Sequence, residues 1–293
     1  GGVGVSGLST REEDFVEEMF VTSTHNYILW FTDKGRMFKL KGYQIPEGSR
    51  TAKGTAIVNL LNLDKDEKIS TVIPLKEFEE DKYLTMITRN GVVKKTTLES
   101  YDSNRSGGLI AIRLDDDDEL IKVLLTDGKN DIILGTHNGM AIRFNEEDAR
   151  PLGRVSRGVR GIRLKDGDYV VGACLVNDTE EMLVISENGM GKRTGFDEYK
   201  VQSRGGMGVR TYKISDKTGK VAAIRAINNE MDLMLITSEG VIIRTGAEGI
   251  STLGRSTSGV RIMKLKDGVK VVSVATAEKE EDVPEEAETE ETN

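Results

Sequence analysis

With 293 residues the chain can bury a sizeable core, and 37% hydrophobic residues with only four prolines exclude a disordered or collagen-like polymer. The lone cysteine, Cys174, excludes an internal disulfide and points to a reducing, cytoplasmic setting, and no run of 18 apolar residues reads as a membrane span. The net charge of −8 argues against nucleic acid only until its distribution is read: residues 278–293 hold nine acids and one lysine, leaving 40 acids balanced by 40 bases. The charge pattern predicts a folded body over 1–277 and an acidic, solvated, disordered tail over 278–293.

In chain order, the sequence opens inside a repeat. Gly1-Gly2-Val3-Gly4-Val5 lines up with Gly205-Gly206-Met207-Gly208-Val209, so the start reads as the second half of a repeat whose first half is absent. That phase, and the missing initiator methionine, predict a stretch excised from a longer protein. Five copies of one phrase follow: TDKGRMFK, TRNGVVKK, THNGMAIR, SENGMGKR and TSEGVIIR, with glycines at 35, 91, 139, 189 and 240. Their separations of 56, 48, 50 and 51 residues fall at or just above the upper end of the range typical of solenoid and propeller repeats. In the third copy, apolar runs at 131–136, 140–144, 159–164 and 169–176 have strand lengths and are rich in Val and Ile. The first two are joined by a glycine turn that suits a tight hairpin, and a long loop separates the second from the third. The reading is an all-β disc of about 50-residue, four-stranded blades, five full repeats plus half of a sixth.

Each repeat carries two basic elements. Four residues after the hairpin glycine stands Lys39, Lys95, Arg143, Arg193 or Arg244, accompanied by Lys41, Lys94 and Lys192. The long loops carry Arg50 and Lys53, Arg105, Arg154 and Arg157, Arg204, and Arg255 close to a glycine. Cations at equivalent positions of successive blades would form a ring, and a ring of positive charge binds phosphate without reading bases. DNA has a persistence length of about 50 nm, so contacts spread over several blades suit bending better than one strong site. The bland reading of any single such residue is a solvated edge position that discourages strand pairing.

Other candidate chemistry is weak. His25 and His137 both sit in Thr-His-Asn but at different points of the repeat, which argues for local turn structure. Asp115 to Asp118 occupy an inter-strand turn and lack the ligand spacing of a calcium loop. No zinc pattern, phosphate-binding P-loop or recurring nucleophile and base pair occurs, so no catalytic residue, metal or cofactor is assigned.

The glycine turns with their basic strands, the loop Gln202, Arg204, Gly205, Gly206, Gly208 in the pattern Q-x-R-G-G-x-G, its remnant Gly1, Gly2 and Gly4, the stretch from Thr24 to Leu61 and the acidic tail together resemble the C-terminal domain of DNA gyrase A. That resemblance implies a β-pinwheel whose basic rim wraps duplex DNA to present a crossing for strand passage, in support of negative supercoiling by a type II topoisomerase. It also implies no catalysis by this stretch itself. Cleavage would lie in the rest of gyrase A, and ATP and Mg would be used elsewhere in an A2B2 assembly with gyrase B. The corresponding C-terminal domain of topoisomerase IV, selecting DNA crossings, is a second reading. A protein-interaction propeller is a third, of another class.

Overall fold

The computed structural model describes residues 26–41, 61–105 and 107–279, and in them every regular element is a strand or a short 3-10 turn. The first repeat supplies β1 (Tyr27–Thr32), β2 (Arg36–Lys41) and β3 (Ile69–Leu75). The second gives β4 (Tyr83–Thr88), β5 (Val92–Thr97), the two-residue β6 (Leu109–Ile110) and β7 (Leu120–Thr126). The third gives β8 (Asp131–Thr136), β9 (Met140–Asn145), β10 (Val159–Arg160) and β11 (Val170–Leu175). In the fourth these become β12 (Glu181–Ser186), β13 (Met190–Thr194), β14 (Val209–Arg210) and β15 (Val221–Ile227), and in the fifth β16 (Met231–Thr237), β17 (Ile242–Gly246), β18 (Val260–Arg261) and β19 (Val271–Glu278). The half repeat at the start and the tail beyond Lys279 lie outside the described residues. No helix among those described is long and apolar enough to cross a membrane.

The sheets do not follow the repeat boundaries. Their orders are β3-β1-β2-β6, β7-β4-β5-β10, β11-β8-β9-β14, β15-β12-β13-β18 and β19-β16-β17. The short third strand of the second to fifth repeats therefore leaves its own blade and becomes the outermost strand of the preceding one. This corrects the expectation that four consecutive runs of one repeat make a blade, and it shortens the expected run 159–164 to a two-residue strand. The last strands pack in succession, β3 on β7, β7 on β11, β11 on β15 and β15 on β19, which places them at the inner edge of a propeller-like arrangement. The swapped strands consequently lie at the periphery.

The hairpin glycine explains the swap. Gly189 has φ +85°, and its carbonyl accepts from Ile262 N at 2.8 Å and Met263 N at 3.2 Å, both just past β18. Gly35, Gly91 and Gly139 do the same for residues 111–112, 161–162 and 211–212 of the next repeat. A Cβ on Gly189 would stand 2.6 Å from the Met263 carbonyl oxygen. The repeat signature thus marks the docking point of the following repeat as well as a turn that needs positive φ.

First strands are buried on both sides. Tyr27–Thr32, Tyr83–Thr88, Asp131–Thr136 and Glu181–Ser186 each bury every residue after the first, which is why their sequences run apolar rather than alternating. Core clusters lie between neighbouring sheets: Leu29 and Phe31 of one pack with Met86, Leu98 and Tyr101 of the next. Cys174 belongs to another such layer and is fully covered; burial pushes its thiol up to about 12, so it is inert packing.

Candidate nucleic-acid interface

The five in-register strand cations occupy equivalent places, but those places are not on a solvated rim. Lys95 and Arg193 are 4% and 6% exposed, and Lys39, Arg143 and Arg244 are half-buried. Arg143 forks onto Asp131 Oδ2, at 2.9 Å from Nε and 2.8 Å from Nη2, while its Nη1 donates to the Phe196 carbonyl at 2.9 Å. Arg193 pairs with Glu181 at 2.9 Å and donates to the Ala247 carbonyl at 3.2 Å; Lys95 donates to the Glu146 carbonyl at 3.0 Å. Each of those carbonyls belongs to the first residue of the 3-10 turn in the next repeat, Glu146–Asp148, Phe196–Glu198 or Ala247–Gly249. Lys39 reaches Asp102 at 3.5 Å, just past the turn Leu98–Tyr101, between the rings of Tyr27 and Phe78. Arg244 holds Asp232 at 2.8 Å and the Glu278 carbonyl. In the first four repeats the periodic charge is therefore a clamp between one blade and the next turn, and in the fifth Arg244 ties strands of its own sheet, roles that sequence spacing could not separate from a rim.

Lys94 and Lys192 are fully buried at equivalent places of β5 and β13, where Lys94 caps carbonyls of its own and the next repeat and Lys192 caps loop carbonyls of the next. Lys94 Nζ donates to Ala111 O at 2.5 Å and to Arg154 O, and Lys192 Nζ to the carbonyls of Gly254, Arg255 and Thr257 at 2.7–2.9 Å. Burial, with Arg154 nearby, draws the Lys94 ammonium down to about 7; burial, with Arg255 adding to it against Glu198, draws Lys192 down to about 8. Neither can touch a phosphate in this geometry, because no part of either side chain reaches the surface.

The loop arginines follow a different register from the expected one. Arg154, Arg204 and Arg255 each lie four residues before the glycine that opens a swapped strand, at 158, 208 and 259. Each guanidinium reaches back to the swapped strand of the preceding repeat, at the carbonyls of Ile110, Arg160 (3.0 Å) and Arg210 (2.7 Å). Arg157 is not their equivalent; it is largely exposed and pairs with Asp115 at 3.2 Å. Arg105 and Lys41 are exposed. In the box-like loop Gln202 N donates to Arg143 O at 2.8 Å, Gly205 N to Gly161 O at 2.7 Å, and Gly206 O accepts from Arg163 N at 2.8 Å. A Cβ on Gly208 would fall 2.2 Å from the Ala141 carbonyl. Gly1, Gly2, Gly4, Arg50, Lys53 and His25 lie outside the described residues.

A further set of exposed cations lies elsewhere. Arg160, Arg210 and Arg261 end the swapped strands, and Arg113, Arg163, Lys213 and Lys264 follow at equivalent places. All seven are exposed, and none has an ion-pairing carboxylate among the described residues. The signal was present as a second phrase, VRGIRL, VRTYKI and VRIMKL, with LIAIRL as its incomplete first copy. Its cations stand just after the loop glycine rather than before it. Because the swap carries this segment to the outer edge of a neighbouring sheet, the peripheral charge belongs to the strand and not to the hairpin.

The remaining polar clusters are local. His137 stacks on Tyr169 with ring centroids 4.4 Å apart, and its Nε2 lies 3.4 Å from Glu187; Arg89 covers the other part of that tyrosine. Asp118 accepts from Asn90 N and Glu119 N, so the aspartate run is tied into a turn. Among the described residues no group of His, Cys, Asp and Glu could hold a metal ion.

A family model described as DNA gyrase C-terminal domain, beta-propeller, matches residues 1–23, 26–76, 82–127, 130–177, 180–228 and 232–278, five segments of repeat length and one shorter. The chain is 51% identical over 281 residues to DNA gyrase A of Clostridium acetobutylicum and 55% identical over 282 residues to that of Halalkalibacterium halodurans. Each alignment covers 96% of the chain and 34% of the relative, so the chain spans about a third of these proteins. Among solved structures, the C-terminal domain of DNA topoisomerase IV superposes with a TM-score of 0.79 at 31% identity, covering 87% of this chain and 80% of that one. A DNA gyrase A C-terminal domain superposes at 0.74 with 29% identity, covering 87% and 83%.

Proposed function

The chain belongs to the DNA gyrase C-terminal domain family, and from that premise we propose that it binds duplex DNA around its outer edge and bends it, without strong sequence preference. The observation that carries this reading is the row of exposed cations without carboxylate partners on the swapped strands and just beyond them: Arg113, Arg160, Arg163, Arg210, Lys213, Arg261 and Lys264. Phosphate contacts need positive charge at the surface and little else, and several blades each offering two such groups distribute the cost of bending. Arg105 and Arg157 extend the same surface, whereas Arg154, Arg204 and Arg255 hold the backbone that presents it.

The domain performs no bond chemistry in this reading. It supplies a curved track to a cytoplasmic DNA gyrase, in which the rest of gyrase A together with gyrase B would carry out strand passage with ATP and Mg. Replacing Arg160, Arg163, Arg210, Lys213 and Arg261 together by alanine should weaken duplex binding and lower the slope of log K against log salt by about 0.9 for each phosphate released from the protein. Ligation of nicked circles on the protein should then leave a smaller shift in linking number. Unchanged affinity and slope in a folded variant would refute the reading and favour a protein-binding disc.

A further inference from the structure

The row of peripheral cations is broken at one place. The position held by Arg160, Arg210 and Arg261 in the later swapped strands is Ile110 in β6, and it is 52% exposed. Beside it, Val155 follows Arg154 and is 54% exposed, where the other loops have Gly205 and Ser256. The two side chains stand on one rigid platform. Arg154 donates to the Ile110 carbonyl, Arg113 N donates to Ser156 O at 3.1 Å, and Tyr101 OH donates to Ala111 O at 2.9 Å. Beneath them the buried Lys94 ammonium bonds the carbonyls of both Ala111 and Arg154, joining the residue after Ile110 to the residue before Val155.

Loop tips normally place polar residues outward, and a fixed pair of β-branched side chains within a cationic surface is a different arrangement. Arg113, whose N bonds Ser156 O, and Arg157, two residues past Val155, lie next to it, both exposed. That adjacent positive charge would hold a phosphate backbone against this spot, while the spot itself has nothing to offer a phosphate. What an aliphatic pair can contact is the groove floor between two backbones, where apolar side chains pry base steps apart and kink the duplex.

We propose that Ile110 and Val155 form an apolar wedge that seats in the minor groove of DNA where the first and second blades meet and favours easily unstacked pyrimidine–purine steps there. The inference rests on the DNA-binding reading and adds a place where sequence is felt through deformability rather than through base hydrogen bonds. The second, third and fourth blades, with arginine at the same position, would track phosphate alone.

The test uses the whole 293-residue chain and two duplexes of equal length, one with a TA step every helical turn and one built of A-tracts. The wild-type chain should prefer the TA duplex by about tenfold, and 2-aminopurine placed at the TA steps should brighten on binding as stacking is lost. Ile110→Ser with Val155→Ser should abolish the preference and the fluorescence gain while leaving the salt slope unchanged, since every phosphate contact is kept. Ile110→Arg should steepen the slope by about 0.9 and still lose the preference. Both positions are exposed, so an unchanged urea midpoint verifies the fold of each variant. An equal TA preference in wild type and the double serine variant overturns the wedge and leaves DNA binding standing; failure of the wild type to bind either duplex overturns both.

Discussion

Replacing Gly189 by alanine tests whether the hairpin glycine is the joint between repeats. Two effects add at this position. An L-residue at φ +85° costs about 1 kcal/mol, and the new Cβ, 2.6 Å from the Met263 carbonyl oxygen, must push the incoming segment away. Displacement forfeits the bonds from Ile262 N and Met263 N to the Gly189 carbonyl, about 1 kcal/mol each. The expected loss is about 3 kcal/mol. Gly268→Ala is the matched control, because Gly268 has φ +80° and open space within 4 Å of where a Cβ would stand, so it should lose only the strain of about 1 kcal/mol. Urea denaturation compares the two variants, and amide exchange at Ile262 and Met263 reads the joint directly, with about thirtyfold faster exchange for the difference of about 2 kcal/mol. If Gly189→Ala costs no more than Gly268→Ala and leaves those amides protected, the joint is not where the structure puts it.

Arg143→Met should lower stability through the loss of its bonds to Asp131 and the Phe196 carbonyl, yet leave the salt slope of DNA binding in place, measured by urea midpoint and by titration at several salt concentrations. Lys94 has a folded value of about 7 against an ordinary 10.5, so the unfolded chain binds more protons between those limits and stability should rise with pH across that window. Lys94→Met should remove that rise, which midpoints at about pH 7 and pH 10 would reveal; equal rises in both proteins would refute it. Burial alone would raise the Glu67 carboxyl, but bonds from Arg36, Asp64 N and the Thr32 hydroxyl hold it down at about 2. Its contribution is complete above the ordinary 4.5 and fades as pH falls toward 2, so Glu67→Gln should lose less stability than wild type between about pH 5 and pH 3.

Much of the architecture was legible because its causes are local. Positive φ selects glycine, a strand buried on both faces selects an unbroken apolar run such as DIILGT, and both recur with the blade, so period and strand count could be read from residues alone. The charge at Arg143 or Arg193 recurs for the same reason, but a periodic cation has the same spacing whether it meets solvent or the carbonyl of a neighbouring turn. Packing across blades separates the two cases, by burying Lys95, Arg193, Lys94 and Lys192 and giving them partners on the next repeat. The same packing sets where the surface charge lies. Pairing between β13 and β18, or β9 and β14, joins residues some seventy positions apart, and no local preference of a two-residue strand records which sheet it will complete. Once that exchange is made, Arg160, Arg210 and Arg261 move to the outer edge; their spacing is written in the repeat, and their address comes from a pairing that no short segment encodes.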